Sequence, residues 1–207
     1  FRTLSQTLQG WEPFDTGWNF GQSDGGGTGN RGPPSTPEHL KFVGYNLGDD
    51  YENDIGAPVY ATTQTFNATT ATELYVSFDR WLGVGPPAED TVSVEVKSDS
   101  FDWTPVWTNA DESTEAIEDR QWTRQTVRLH NVGEGVDAAG DTNVQIRWGV
   151  GPTNASGTYP GWNIDNVVVL AKESAGPSGI VTTDVNELQE GSRKTEAGYN
   201  FDTLPDA

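Results

Sequence analysis

The 207-residue chain reads as an all-β protein, folded as a single antiparallel β-sandwich. Three observations predict this. Segments with period-two alternation recur along the chain, 24 Gly and 12 Pro punctuate them, and no long stretch carries a helical period. Hydrophobic residues make up only 33%, but 8 Trp, 8 Phe and 6 Tyr can build a sandwich core from few positions. Residues 1–170 are assigned to the sandwich and 171–207 to a linker or extended tail.

Residues 1–13 are weakly patterned, and the first persuasive strand is Trp18-Asn19-Phe20-Gly21, whose two aromatics share a face. The run Ser23-Asp24-Gly25-Gly26-Gly27 opens a long loop that continues through Pro33, Pro34 and Pro37. No Lys-Ser/Thr pair and no helix follow it, which excludes a phosphate loop and leaves a surface excursion. Phe42 to Asn46 resumes the sheet and runs into an oxygen-rich loop containing Asp49, Asp50, Glu52, Asn53 and Asp54. Its Gly56 is one place late for an EF-hand and Ala61 stands where the bidentate Glu belongs, so it is either a solvated acidic loop or a Ca²⁺ loop of another shape.

Pro58 to Thr63 is a short strand and Glu73 to Leu82 a strong one. Val76 and Phe78 are expected to face the core, which puts Tyr75, Ser77, Asp79 and Trp81 on the outer face, where a Tyr and a Trp can form a platform for a sugar ring. Asp90 to Ser98 alternates again, with Val92, Val94 and Val96 inward and Ser93, Glu95 and Lys97 outward. Trp103 to Trp107 forms another strand. The acid-rich connection from Asp111 to Asp119 reads as a solvated loop with a turn of helix rather than as the rigidly held carboxylate pair of a glycosidase. Gln121 to His130 returns to strand.

Asn143 to Pro152 ends as the Arg80 strand does, Arg147-Trp148-Gly149-Val150-Gly151-Pro152 against Arg80-Trp81-Leu82-Gly83-Val84-Gly85-Pro86. Two strands with one ending are expected side by side. With Val144, Ile146 and Trp148 inward, Arg147 then joins Asp79 and Trp81 on one outer face, as a structural latch or as a ligand contact. The last strong strand, Gly161 to Leu170, sets Asp165 on the face opposite Trp162 and Ile164. A carboxylate in so apolar a strand needs hydrogen-bond donors or a cation. Beyond it, Ile180 to Val185 is a possible extra strand and Phe201 an anchor.

A formal net charge of -19, from 31 acidic and 12 basic residues, disfavours nucleic acid and anionic membranes as partners. No apolar run is long enough for membrane insertion. With no Cys there is neither a disulfide nor a thiolate metal site. The chain starts at Phe1 and has no Met, which fits a processed or trimmed terminus, and the sequons Asn67-Ala68-Thr69 and Asn154-Ala155-Ser156 are compatible with secretion.

Trp18 to Gly21, Val43 to Asn53, Ser77 to Val84, Ile146 to Pro152 and Gly161 to Val167 together resemble a bacterial MAM-like module, over roughly residues 14–170. Such modules are appended to secreted peptidases, carbohydrate-active enzymes and large surface proteins. The resemblance implies a jelly-roll sandwich of the concanavalin A-like type with no catalytic centre and with structural Ca²⁺. Asp49, Asp50, Asn53, Asp90 and Asp165 are the residues it offers as metal ligands. The family ends its last motif Ile-Asp-Asp, whereas this chain has Ile164-Asp165-Asn166.

The function expected is that of a non-catalytic module at the cell surface or outside the cell, stabilised by Ca²⁺, binding a glycan or a cell-surface protein. Its ligand contacts are expected at Tyr75, Asp79, Trp81 and Arg147. The alternative is a filament or layer subunit that binds copies of itself by strand addition through its terminal segments. An enzyme of the laminarinase type is disfavoured, because no strand carries Glu-x-Asp-x-x-Glu and no triad can be assembled.

Overall fold

Alternating apolar residues produce eleven strands among the described residues: β1 (Arg2–Leu4), β2 (Trp18–Gly21), β3 (Phe42–Tyr45), β4 (Val59–Thr62), β5 (Ala71–Val84), β6 (Val92–Lys97), β7 (Thr104–Thr108), β8 (Ile117–Glu118), β9 (Thr123–Arg128), β10 (Gln145–Val150) and β11 (Gly161–Glu173). The structure, a computed structural model, describes residues 2–4, 10–27, 29, 31–133 and 135–173, the first three by backbone alone. A seven-stranded sheet has the order β2-β3-β11-β5-β8, with β1 on β11 and β9 on β5, and a four-stranded sheet has the order β4-β10-β6-β7. All pairings are antiparallel, as the sequence predicts for a β-sandwich.

The two sheets meet over a core of Leu74, Val76, Phe78 and Leu82 from β5, Val92, Val94 and Val96 from β6, Ile146 and Trp148 from β10, and Trp162 and Ile164 from β11. Phe78 sits edge-on to both Trp148 and Trp162, at 5.3 and 6.0 Å between ring centroids. The Trp162 indole N–H donates across the core to the Gly149 carbonyl at 3.1 Å, tying one sheet to the other. Each such ring removes roughly 150–250 Å² from water, which at about 25 cal/mol per Å² contributes on the order of 4–6 kcal/mol before entropy is charged.

The repeated Arg-Trp ending does not make neighbours of its two strands. β5 lies in the large sheet and β10 in the small one, and the dipeptide is in opposite phase in the two. Core positions are even-numbered in both strands, so Arg80 points inward and Trp81 outward, while Arg147 points outward and Trp148 inward. A one-residue offset exchanges the faces.

β11 continues three residues past the boundary read from sequence, to Glu173. Its alternation also breaks. A register shift between Asp165 and Val168, with Asn166 at φ 49°, moves the core positions from Trp162 and Ile164 to Val169 and Ala171. This is the two-against-one geometry of a β-bulge, and Asn is a residue that tolerates the left-handed conformation.

Two described parts of the N-terminal segment join the sheets: β1 pairs with residues 169–171, and Trp11 bridges to Thr63, just past β4, and packs 5.3 Å from Trp148. Trp18 is buried, but Phe20, on the same side of the short edge strand β2, is 46% exposed. The candidate strand at 180–185 and the anchor Phe201 lie outside the described residues.

Two residues of the acid-rich connection are structural. Glu112 accepts from Arg80 Nη1 and Nη2 at 2.6 and 2.9 Å, and Asp119 accepts from Arg80 Nε at 2.9 Å and from the Leu82 N–H at 2.9 Å. Arg80, inward-facing on a strand whose neighbours are apolar, can be buried only because both carboxylates close over it.

Candidate functional site

The outer face of the small sheet is built by register. Thr62, Arg147, Glu95 and Pro105 form one row across β4, β10, β6 and β7, and Tyr60, Gly149, Ser93 and Thr108 form the next. Gly149 leaves room for a ring to lie on the sheet: a Cβ there would come 2.8 Å from Tyr60 Cε1 and 2.7 Å from Ser93 Oγ. The recumbent Tyr60 ring then forms one wall of a slot, and Trp103 forms the other. The Arg147 guanidinium carbon lies 3.6 Å from the Tyr60 ring centroid and 4.1 Å from that of Trp103.

Glu95 fixes the guanidinium in its slot. Arg147 Nε and Nη2 both donate to Glu95 Oε2, at 2.8 and 2.6 Å. Glu95 Oε1 accepts from Ser93 Oγ at 2.9 Å. This outward-facing carboxylate is buried because the two rings and the arginine cover it. Burial pushes the Tyr60 phenol up, and the charge of Glu95 adds to the rise against the opposite pull of Arg147. Among the described residues, Arg147 Nη1 makes no hydrogen bond, so one edge of the fork stays available.

Lys97 continues the platform, its Nζ 4.9 Å from the Trp103 centroid. Beyond it lies a wide depression of about 490 Å³, bordered by Lys97, Asp99, Phe101, Asp102, Asn143 and Gln145. Its floor is held in place from within. Asn143 Nδ2 donates to both Asp99 oxygens at 3.0 and 3.1 Å, and Gln145 donates to the Thr63 carbonyl at 2.9 Å. The Thr142 hydroxyl and the Asn143 amide bonded to Asp99 hold its carboxyl below the usual carboxylate range.

The other predicted ligand residues lie on the opposite outer face. Trp81 Nε1 donates to the Arg31 carbonyl at 2.8 Å, and its ring meets Trp122 edge-on at 6.1 Å. His39 stacks on Trp122 at 4.4 Å and bonds Asp165 Oδ2 through Nδ1 at 2.9 Å. Trp81 and Asp165 are thus anchor points for Arg31 and His39, in the connection between β2 and β3. Asp79 accepts from Arg124 Nη1 at 3.0 Å and from Asn166 Nδ2 at 2.7 Å, and Tyr75 packs edge-on to His130 at 5.0 Å. Burial lifts the Asp165 carboxyl above its usual range; the bond from His39 and the Asn166 N–H pull it down, and Asp79 pushes it further up. Arg147 therefore does not share a face with Tyr75, Asp79 and Trp81, because β5 and β10 belong to different sheets.

The five expected metal ligands are likewise dispersed. Among the described residues, no three His, Cys, Asp or Glu side chains are grouped to hold a metal. Asp90 is occupied by the Tyr51 hydroxyl at 2.5 Å and the Asn154 N–H at 3.0 Å, and Asp165 by His39. Asn53, with its amide turned to suit its neighbours, donates to the carbonyls of Gly157 and Asn154 at 2.8 and 3.2 Å. Asp49 accepts from the Asp50 N–H at 2.9 Å. As one ligand set these residues do not fit a single ion.

The glycine run packs against further oxygens. The glycine run lies against two loops: a Cβ at Gly27 would sit 2.4 Å from Asp50 Oδ1, and one at Gly26 would sit 1.7 Å from the Gly48 carbonyl oxygen and 3.3 Å from Asp24 Oδ1. Gly26 leaves no room for a side chain beside the Gly48 carbonyl, and Gly27, at φ 83°, adopts the left-handed conformation that favours glycine.

The sequence pointed to Arg147 but not to its partners. Glu95 and Lys97 showed themselves as outward-facing, whereas Tyr60 and Trp103 carried no signal of their own, since their positions depend on which strands flank β10 and β6. His39 and Trp122 were missed for the same reason.

No protein-family model matches the chain, and no curated protein matches it. Among solved structures it is similar to the K3 cleaved adhesin domain of Lys-gingipain from Porphyromonas gingivalis, at 15% identity and a TM-score of 0.40, covering 77% of this chain and 94% of that one. It is also similar to CBM35 from Paenibacillus barcinonensis, at 16% identity and a TM-score of 0.37, covering 76% of this chain and 94% of that one. The xylan-binding module CBM15 is similar at 13% identity and a TM-score of 0.37, covering 80% of this chain and 97% of that one. Likeness this distant says nothing about what the present chain binds.

Proposed function

We propose that this chain is a non-catalytic extracellular module that binds a carbohydrate on the outer face of its four-stranded sheet. The observation that carries the proposal is the Arg147 guanidinium clamped between Tyr60 and Trp103 beside the polar depression. A sugar ring offers an apolar C–H face to an aromatic side chain and hydroxyls around its rim. Trp103 and Phe101 supply apolar surface, while Lys97 and Arg147 Nη1 donate and Asp102 and Asn143 offer further polar contacts. Because Glu95 and the rings already hold the arginine, little side-chain entropy is lost on binding. Glu95 serves here as the counter-ion of Arg147, with both its oxygens engaged. Oligosaccharide binding by titration calorimetry tests the proposal: Trp103→Ala should weaken it at least tenfold and Trp81→Ala on the opposite face should leave it intact.

Calcium belongs to the same proposal, at the oxygens of Asp24, Asp50 and the Gly48 carbonyl, the kind of hard donors that Ca²⁺ takes. There it would tie the glycine-rich excursion to the loop after β3. A second reading, assembly with copies of itself, is favoured by one feature: the terminal strand β1 completes the sheet at residues 169–171 and could be donated to a neighbour. Molar mass by light scattering, with and without residues 1–9, distinguishes exchange from a self-contained strand.

A further inference from the structure

The two sequons fold into different environments. Asn67 and Thr69 are exposed and flank the buried Ala68, whose N–H donates to the Asp141 carbonyl at 2.9 Å and whose carbonyl accepts from Ala71 and Gly140 at 2.9 and 3.0 Å. The middle residue pins the turn while its neighbours stand clear of it. Asn67 Oδ1 accepts from the Thr69 N–H at 2.9 Å and from the Thr69 hydroxyl at 2.7 Å. Both donors sit on the amide oxygen, so the amide nitrogen is turned outward, and among the described residues it donates no hydrogen bond. Two hydrogen bonds to the oxygen also polarise the amide and make its N–H more acidic.

Asn154 shares the backbone bond, its Oδ1 accepting from the Ser156 N–H at 2.8 Å, but differs in the rest. It is half-buried, its N–H is held by the buried Asp90 at 3.0 Å, and its carbonyl accepts from the Asp54 N–H at 3.3 Å. The Ser156 hydroxyl, which would have to serve its amide, is given instead to Glu89.

From this contrast we infer that Asn67, and not Asn154, is a site of N-linked glycosylation on the folded surface. The co-reactant is a lipid-linked oligosaccharide phosphate. Asn67 Nδ2 forms the new bond to the anomeric carbon, the bond from that carbon to the phosphate oxygen breaks with its electron pair going to the phosphate, and the amide gives up one proton. No oxidation or reduction is involved. The glycan would stand at the rim of the depression on the small sheet, since Phe66 bridges to Val144 between Asn67 and the Thr65 and Asn143 that line it.

The test is mass spectrometry of the protein secreted by a cell that carries out N-glycosylation, with enzymatic deglycosylation in heavy-oxygen water. Label on Asn67 alone is expected; Asn67→Gln and Thr69→Ala should remove it, Thr69→Ser should keep part of it, and Asn154→Gln should change nothing. An unmodified Asn67 peptide, or label on Asn154, overturns the inference. The readout does not depend on what the depression binds.

Discussion

Arg147 gives two hydrogen bonds to one oxygen of Glu95, at 2.8 and 2.6 Å, and thereby keeps its other edge turned away from the sheet. Both side chains are largely buried, at 18% and 10% exposure, so the pair is sheltered from screening. Glu95→Gln leaves the guanidinium without its counter-charge and is expected to cost on the order of 3 kcal/mol. For a domain of this size that lowers the thermal midpoint by roughly 6–12 °C. Arg147→Lys keeps the charge but loses the planar stacking on both rings, and a double-mutant cycle by calorimetry should show the two sites strongly coupled.

Arg80 is more deeply buried still, inside the sandwich with Glu112 and Asp119 closed over it. Asp119 is 12% exposed and Glu112 38%, and that difference sets the order of effects. Arg80→Ala should cost about 3–5 kcal/mol, Asp119→Asn somewhat less, and Glu112→Gln no more than about 1 kcal/mol. Urea unfolding of the three variants checks the ranking.

How much of this was legible in the sequence follows from what period-two alternation encodes. It fixes which residues of a strand share a face, and so Val92, Val94, Val96, Ile146 and Trp148 were placed in the core correctly. It does not encode which strands pair. The assignment of Arg147 to the face of Trp81 needed β5 and β10 in one sheet, and nothing local to either strand decides that. The bulge after Asp165 was hidden for a related reason, since a register shift is settled between β11 and β5 rather than within β11. Glu112 and Asp119 looked solvated because their partner, Arg80, is distant in sequence.

Alkaline pH probes the loop after β3. The Tyr45 hydroxyl donates to Glu52 at 2.7 Å, and burial first, then that carboxylate, raises its phenol above the ordinary value. A group whose folded value is raised contributes stability that is complete below the unfolded pKa of about 10 and is lost as pH rises from there toward the folded value. Tyr51, donating to Asp90, acts in the same direction. Urea midpoints should therefore fall as pH rises above about 10, and Tyr45→Phe should flatten part of that fall. An equal slope in the variant would remove Tyr45 from the explanation.

Calcium at the glycine-run oxygens makes a prediction about metal removal. A ligand that binds only the folded state at about a hundredfold over its Kd adds roughly 2.7 kcal/mol, so chelation should lower the midpoint by several degrees. Asp24→Asn and Asp50→Asn should abolish that sensitivity, while Asp165→Asn should keep it. A midpoint that is the same in calcium and in chelator contradicts the site.

Carbohydrate binding by the small sheet is tested most directly by titrating the wild-type protein, Trp103→Ala and Trp81→Ala with a panel of plant and microbial oligosaccharides. Binding by the wild type, lost at least tenfold in Trp103→Ala and kept in Trp81→Ala, is the result expected, since tenfold corresponds to about 1.4 kcal/mol, within the range of one aromatic contact. No binding to any member of the panel, or binding that depends on Trp81 and not on Trp103, contradicts it.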